Sequence, residues 1–201
     1  MRKINYCQAI NEALHQEMER DENVFLYGIG MPDHTRMFGS LDGLVEKFGE
    51  RVVDTPVSEA ALTGFALGCA INGLRPLHCH IRVDFAILGV NQLINNIAPY
   101  IYGTGGKGKC PLVIRMVVGR GWGQGWQHSK SLHSLFAHIP GLKVVLPVMP
   151  RNAKGLLAAA IRDDGPVIVI EHRWLYFAED YVPEGEYVEE IGPDQLLRDG
   201  D

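Results

Sequence analysis

Apolar side chains recur at Ile4, Cys7, Ile10, Leu14 and Met18, the spacing of one helical face, and predict an amphipathic helix over residues 4–19. Asp21-Glu22-Asn23 interrupts it. Val24-Phe25-Leu26-Tyr27 then forms a short continuous apolar run ending at Gly28, the pattern of a strand covered on both faces. Comparable runs predict strands at 77–83, 112–117, 143–147 and 167–171, with a strand edge at 51–54. Helices are expected at 41–48, 59–72, 85–102 and 152–163, and another begins at 131–137. The helix over 59–72 carries Ala60, Ala61, Gly64, Ala66, Gly68 and Ala70, small residues that let another backbone approach, so deep burial is expected. Strand and helix alternate throughout, which predicts an α/β fold with a mainly parallel sheet and helices on both faces. Ligands in such folds bind at the carboxyl ends of the strands. Those ends carry Gly28, residues 54–59, Asp84-Phe85, residues 119–128 and Glu171-His172. From Tyr181 the chain becomes acidic and loses periodicity, so residues 1–180 read as one domain and 181–201 as a linker.

Composition narrows the function classes. A length of 201 residues with 46% hydrophobic content supports a sizeable core. A net charge of -5 with no long run of one sign argues against a nucleic-acid surface. Cys7, Cys69, Cys79 and Cys110 form no CxxC pair, and the histidines form no HExxH, so neither a zinc site nor a redox pair is predicted. The N-terminus lacks an apolar signal core, and no run of about 18 apolar residues occurs. A soluble, membrane-free protein with reduced cysteines in a cytoplasmic compartment is expected.

Two residues stand out chemically. Glu59 follows Asp54-Thr55-Pro56-Val57-Ser58 where a strand gives way to the small-residue helix. A carboxylate in a first helical turn is favoured by the macrodipole, so helix capping, with Ser58 as N-cap, competes with an acid–base role. His128 follows the glycine-rich stretch Gly119-Arg120-Gly121-Trp122-Gly123-Gln124-Gly125 at a strand end, where an imidazole can donate a proton near neutral pH. That stretch is neither a dinucleotide fingerprint nor a P-loop.

Asp54-Thr55-Pro56-Val57-Ser58-Glu59-Ala60 resembles the matching segment in the beta subunits of thiamin-diphosphate-dependent 2-oxo acid dehydrogenases of the pyruvate and branched-chain type. The resemblance continues through Gly73-Leu74-Arg75-Pro76, Asp84-Phe85, Asn91-Gln92-Leu93-Ile94-Asn95, Gln127-His128-Ser129 and residues 136–145 and 153–163, and spans 3–200. It implies the transketolase-like, pyrimidine-binding fold and a heterotetramer in which an alpha subunit holds the diphosphate through magnesium. In the family, the glutamate matching Glu59 hydrogen-bonds a pyrimidine ring nitrogen. Phe85 matches the aromatic packed on that ring, and His128 a histidine facing the reacting carbon. A potassium ion is held largely by backbone carbonyls near Leu112, Ala160, Ile161, Asp163 and Gly165. The implied activity is oxidative decarboxylation of a 2-oxo acid with acyl transfer to a lipoyl acyltransferase, and none without the alpha subunit. Beta–beta self-association is implied as well.

The sequence departs from the family pattern at three places. Ile29 and Gly30 stand where an acidic pair is usual, and Asn91 where an aspartate is common. Residues 196–201 resemble the start of a further C-terminal domain, the bulk of which is not in this sequence. Rival readings are a thiamin enzyme of transketolase or deoxyxylulose-phosphate-synthase type, or a non-catalytic assembly subunit.

Overall fold

The structure, a computed structural model, describes residues 1–121 and 123–192. The chain runs β1 (Arg2–Asn5), α1 (Tyr6–Arg20), β2 (Val24–Gly28), α2 (Leu44–Phe48), β3 (Val52–Asp54), α3 (Glu59–Ile71) and β4 (Arg75–His80). It continues through α4 (Val83–Ala86), α5 (Val90–Gln92), α6 (Tyr100–Gly103), β5 (Val113–Val118), α7 (His133–Ala137), β6 (Lys143–Val145), α8 (Pro150–Arg162), β7 (Val167–His172) and β8 (Glu179–Val182). Six strands form one parallel sheet in the order β3-β2-β4-β5-β7-β6.

Alternation along each strand divides the core in two. Leu26, Leu77, Val113, Val117 and Val169 face α1 and α8, where Ile10, Leu14, Met18 and Leu157 complete one cluster. Tyr27, Ile114, Met116, Ile168 and Ile170 face α3 and the helical segment after β4, packing with Ala66, Ala70, Leu93 and Ile97. Helices therefore cover both faces, as the strand–helix alternation predicts. Asn5 starts α1 with a reciprocal cap: its side chain accepts from Gln8 N at 2.8 Å, and Gln8 Oε1 accepts from Asn5 N at 3.0 Å.

Four local expectations are corrected. The helix expected over 41–48 spans only Leu44–Phe48, because Gly43 ahead of it has φ 75° and Arg36, Met37 and Phe38 are all left-handed. The helix expected over 85–102 is a chain of short α, 3₁₀ and π turns, interrupted before α6 at Pro99, which has no N–H to continue a ladder. Helix α3 buries one face only, and Phe65 and Ile71 remain 53% and 46% exposed on the other. Ser58 is the N-cap by position, its carbonyl accepting from Leu62 N at 2.9 Å, but with φ -162° and ψ 62° its side chain makes no capping bond to the helix.

The segment from Tyr181, expected as linker, begins inside β8, which pairs antiparallel with β1. Beyond it the chain docks on α8. Lys154 Nζ donates to the carbonyls of Pro183, Glu184 and Gly185 and to Glu12, while Tyr187 Oη donates to Arg151 O at 2.6 Å. The resemblance over residues 196–201 lies outside the described residues.

Candidate functional site

A cleft of about 480 Å³ opens at the carboxyl ends of β2 and β4, the position a parallel sheet dictates. Glu59, Phe85 and His128, which lie far apart in sequence, all line it. Glu59 is the first residue of α3 and is 7% exposed. Among the described residues its carboxylate has no hydrogen-bond partner, so a buried acceptor set at a helix N-terminus faces the cavity unused. Phe85 and His128 pack edge to face, with ring centroids 5.1 Å apart. His128 Nδ1 is buried without a partner. Val57 and Leu88 add apolar wall.

The loop carrying His128 needs its glycines. Gly119, Gly121, Gly123 and Gly125 all have positive φ, and a Cβ at Gly119 would press on His172 and Arg173 at 3.3–3.4 Å. Arg82, buried in the cleft wall, donates to Gly119 O at 2.9 Å and to the Gln124 side chain, tying the loop to the end of β4. Lys130 closes the far side through Asp84 Oδ1 at 3.0 Å and Trp126 O at 3.3 Å. Sequence reasoning missed Arg82. Its only signal is a charged residue inside the run expected as a strand over 77–83, a position that by itself ordinarily marks a solvent-facing edge.

Two histidines complete the deep wall. His78 and His80 alternate along β4 onto the α3 face, with ring centroids 4.1 Å apart. Burial holds His78 down at about 4 and His80 well below the usual imidazole range, so both are neutral at pH 7. On the opposite face of the sheet, Arg115 donates to Glu171 Oε1 at 2.5 Å and Oε2 at 2.9 Å, and to Ser40 Oγ at 2.6 Å. Tyr176 Oη donates to Glu171 Oε2 at 2.5 Å. This fully buried network pins the loop before α2 and the turn after β7 to the strand ends.

The remaining predicted positions lie elsewhere. Leu112, Ala160, Ile161, Asp163 and Gly165 gather at the opposite end of the sheet, around the C-terminus of α8. There Arg75 Nη1 donates to the carbonyls of Ile161 and Asp163 at 3.0 Å each, and Leu112 O accepts from Val167 N. A guanidinium thus already serves two of the carbonyls that the resemblance assigns to potassium. Asn91 is exposed and accepts from Asn95 Nδ2 at 2.8 Å. Ile29 lines the cleft, and Gly30, at φ 69°, donates its N–H to Asp54 Oδ1 at 2.7 Å. Among the described residues no group of three His, Cys, Asp or Glu could hold a metal, and no helix is long and apolar enough to cross a membrane.

A doubly covered parallel sheet with a mostly apolar cleft at its carboxyl edge, holding a few polar groups, defines a ligand-binding α/β domain. The chain belongs to the transketolase, pyrimidine-binding domain family, which matches residues 2–178. It is 44% identical over 209 residues to the beta subunit of an acetoin:2,6-dichlorophenolindophenol oxidoreductase from Cupriavidus necator, covering 99% of this chain and 62% of that protein. It is 41% identical to the 2-oxoisovalerate dehydrogenase subunit beta of Bacillus subtilis and 40% to a pyruvate dehydrogenase E1 component subunit beta from Gracilaria tenuistipitata, in each case over 100% of this chain and 62% of the relative. The chain therefore spans about three-fifths of the length of these relatives. A solved split-gene transketolase, described as an inactive beta4 tetramer, superposes with TM-score 0.67 at 20% identity, over 85% of this chain and 52% of that one, and shares the fold.

Proposed function

We propose that this chain supplies the pyrimidine-binding half of a thiamin-diphosphate-dependent 2-oxo acid dehydrogenase, working with an alpha subunit that holds the diphosphate and magnesium. The observation that carries the reading is the unpartnered Glu59 carboxylate, buried at the start of α3 and facing the same cleft as Phe85 and His128. When bound, thiamin diphosphate supplies the thiazolium carbon that adds to the 2-oxo group and takes up electrons as carbon dioxide leaves. Glu59 would hold a proton at a pyrimidine ring nitrogen. Phe85 and the apolar wall would exclude water and strengthen that bond. His128, with Nδ1 free of protein partners, would present a proton donor to the substrate side.

Potassium at Leu112, Ala160, Ile161, Asp163 and Gly165 would share its carbonyls with Arg75, each carbonyl keeping one lone pair for it. Acyl transfer to a lipoyl acyltransferase, a cytoplasmic location, and loss of turnover without the alpha subunit belong to the same proposal. Phe65 and Ile71 on α3, Leu88 beyond α4 and Tyr102 on α6 are exposed and offer an apolar surface for beta–beta contact. A strict monomer in sedimentation at tens of micromolar would count against that contact.

The central test is Glu59→Gln in enzyme reconstituted with its alpha subunit, reading hydrogen–deuterium exchange at the thiazolium carbon. The amide keeps the shape and cannot share the proton, so exchange should slow roughly 100- to 10,000-fold. An unchanged rate would show that Glu59 only supports the helix and would refute the reading.

A further inference from the structure

We propose that Gln124 is a specificity-determining residue whose side-chain amide nitrogen donates to the carboxylate of the 2-oxo acid, on the same loop as His128. The inference rests on the 2-oxo acid reading above and names the group that selects an anion there.

The geometry fixes the donor. Gln124 is exposed and lines the cleft together with His128. Its Oε1 accepts from Arg82 Nη2. A guanidinium can only donate, so the amide is held with its oxygen toward Arg82 and its nitrogen away from it. That nitrogen makes no hydrogen bond among the described residues, and the exposure of the side chain leaves it within reach of a ligand in the cleft. The short turn Trp126–His128 follows directly and returns the chain to Phe85, against which His128 packs. A 2-oxo acid carries its carboxylate and its carbonyl on adjacent carbons, so a loop with two donors suits both groups.

Charge selects the anion. Arg82 is 2% exposed, and its Nη groups donate to two neutral oxygens, Gly119 O and Gln124 Oε1. A guanidinium on an amide oxygen polarises the amide and strengthens its N–H donors. Asp84 offsets part of the Arg82 field, but that carboxylate is itself held by Lys130 at 3.0 Å. Lys130, the loop's other ammonium, is occupied by Asp84 and by Trp126 O, so it is not offered to a substrate. His78 and His80 are neutral and form no ion pair with a carboxylate. Gln124 is thus a reachable donor with a buried cation behind it, and a hydrogen bond from it to a carboxylate is stronger than one to a neutral acceptor.

The discriminating variant is Gln124→Glu. It keeps the oxygen that Arg82 holds, so the loop stays anchored, and it replaces the donor with a second carboxylate oxygen. In the full chain with isotopically labelled glutamine side chains, pyruvate and 2-oxoisovalerate should each shift the Gln124 amide signal saturably. Methyl pyruvate, which has the same carbonyl without the charge, should leave it in place. The signal is assigned by its absence from the Gln124→Glu chain. In enzyme reconstituted with its alpha subunit, Gln124→Glu should raise KM for the 2-oxo acid about 10- to 100-fold, the loss of a hydrogen bond to a charged group. Hydrogen–deuterium exchange at the thiazolium carbon should not change, because substrate takes no part in it. An unchanged KM with normal exchange overturns the inference and leaves the proposed function standing. A wild-type signal that neither acid moves, or that methyl pyruvate moves equally, overturns it as well. Exchange absent from the wild-type enzyme refutes the proposed function, and the inference falls with it. Should the variant fail to fold, the wild-type shifts decide alone.

Discussion

Acid should destabilise this fold through His78, and the size of the effect follows from its burial. An unfolded histidine takes up a proton near pH 6.5, whereas His78 in the fold resists until about pH 4. Between those values the unfolded chain binds more protons than the folded one, so stability falls as pH falls. Linkage gives about 2 kcal/mol lost by pH 5 and about 3 kcal/mol once both states are protonated. His80 acts in the same direction, held low by burial and by His78 beside it. Replacing His78 with Phe keeps a ring between Tyr27 and His80 and removes the titration. Urea unfolding of both proteins at pH 7 and pH 5 isolates the effect, because carboxylates such as Asp21, Asp33 and Asp164 contribute equally to each. The wild type should lose about 2 kcal/mol more than the variant across that interval. Equal losses, or a His78 resonance titrating above pH 6 in the folded protein, would refute the assignment.

Three further substitutions probe the frame around the cleft. Glu171→Gln leaves Arg115 charged in a dry interior and should cost about 3–5 kcal/mol by urea unfolding. Gly141→Ala places a Cβ 2.1 Å from Ala98 O at φ +94°, and should lower stability by about 2–4 kcal/mol with a matching fall in Tm. Lys154→Met removes the ammonium that gathers the carbonyls of residues 183–185, so amide exchange in that segment should rise more than about tenfold while β5 stays protected.

The sequence made the strands of the sheet's centre legible because they are continuous apolar runs, as in Val113–Val118 and Val167–His172. The same runs concealed their exceptions. Arg115 interrupts an apolar strand, and its partner Glu171 lies 56 residues on, a pairing no local pattern can announce. β1 and β8 are four residues each and half exposed, too short for periodicity to register. The helix over 85–102 reads as one element by composition, yet its ladder changes pitch several times, which hydrophobic spacing does not encode. In the cleft, Glu59 and His128 are visible through their neighbours, a strand end and a glycine run. His78 and His80 share a strand face by simple alternation, but their solitude depends on what surrounds them in three dimensions.

The packing of α1 against α8 sets a schedule for the chain during synthesis. Ile10, Leu14 and Met18 leave the ribosome early, whereas Leu157 and Ala160, which cover them, follow roughly 140 residues later. At about 5–20 residues per second, that apolar stripe waits on the order of ten seconds for its cover. Strands β2 to β5 can pair in that interval, and α1 can rest against their face. The pairing of Arg2 through Asn5 with Glu179 through Val182 comes later than the assembly of the six-stranded sheet. Strand β1 is thus locked long after it is made, and a nascent chain halted before Pro150 would present a sticky helix to whatever chaperone or partner stands nearest.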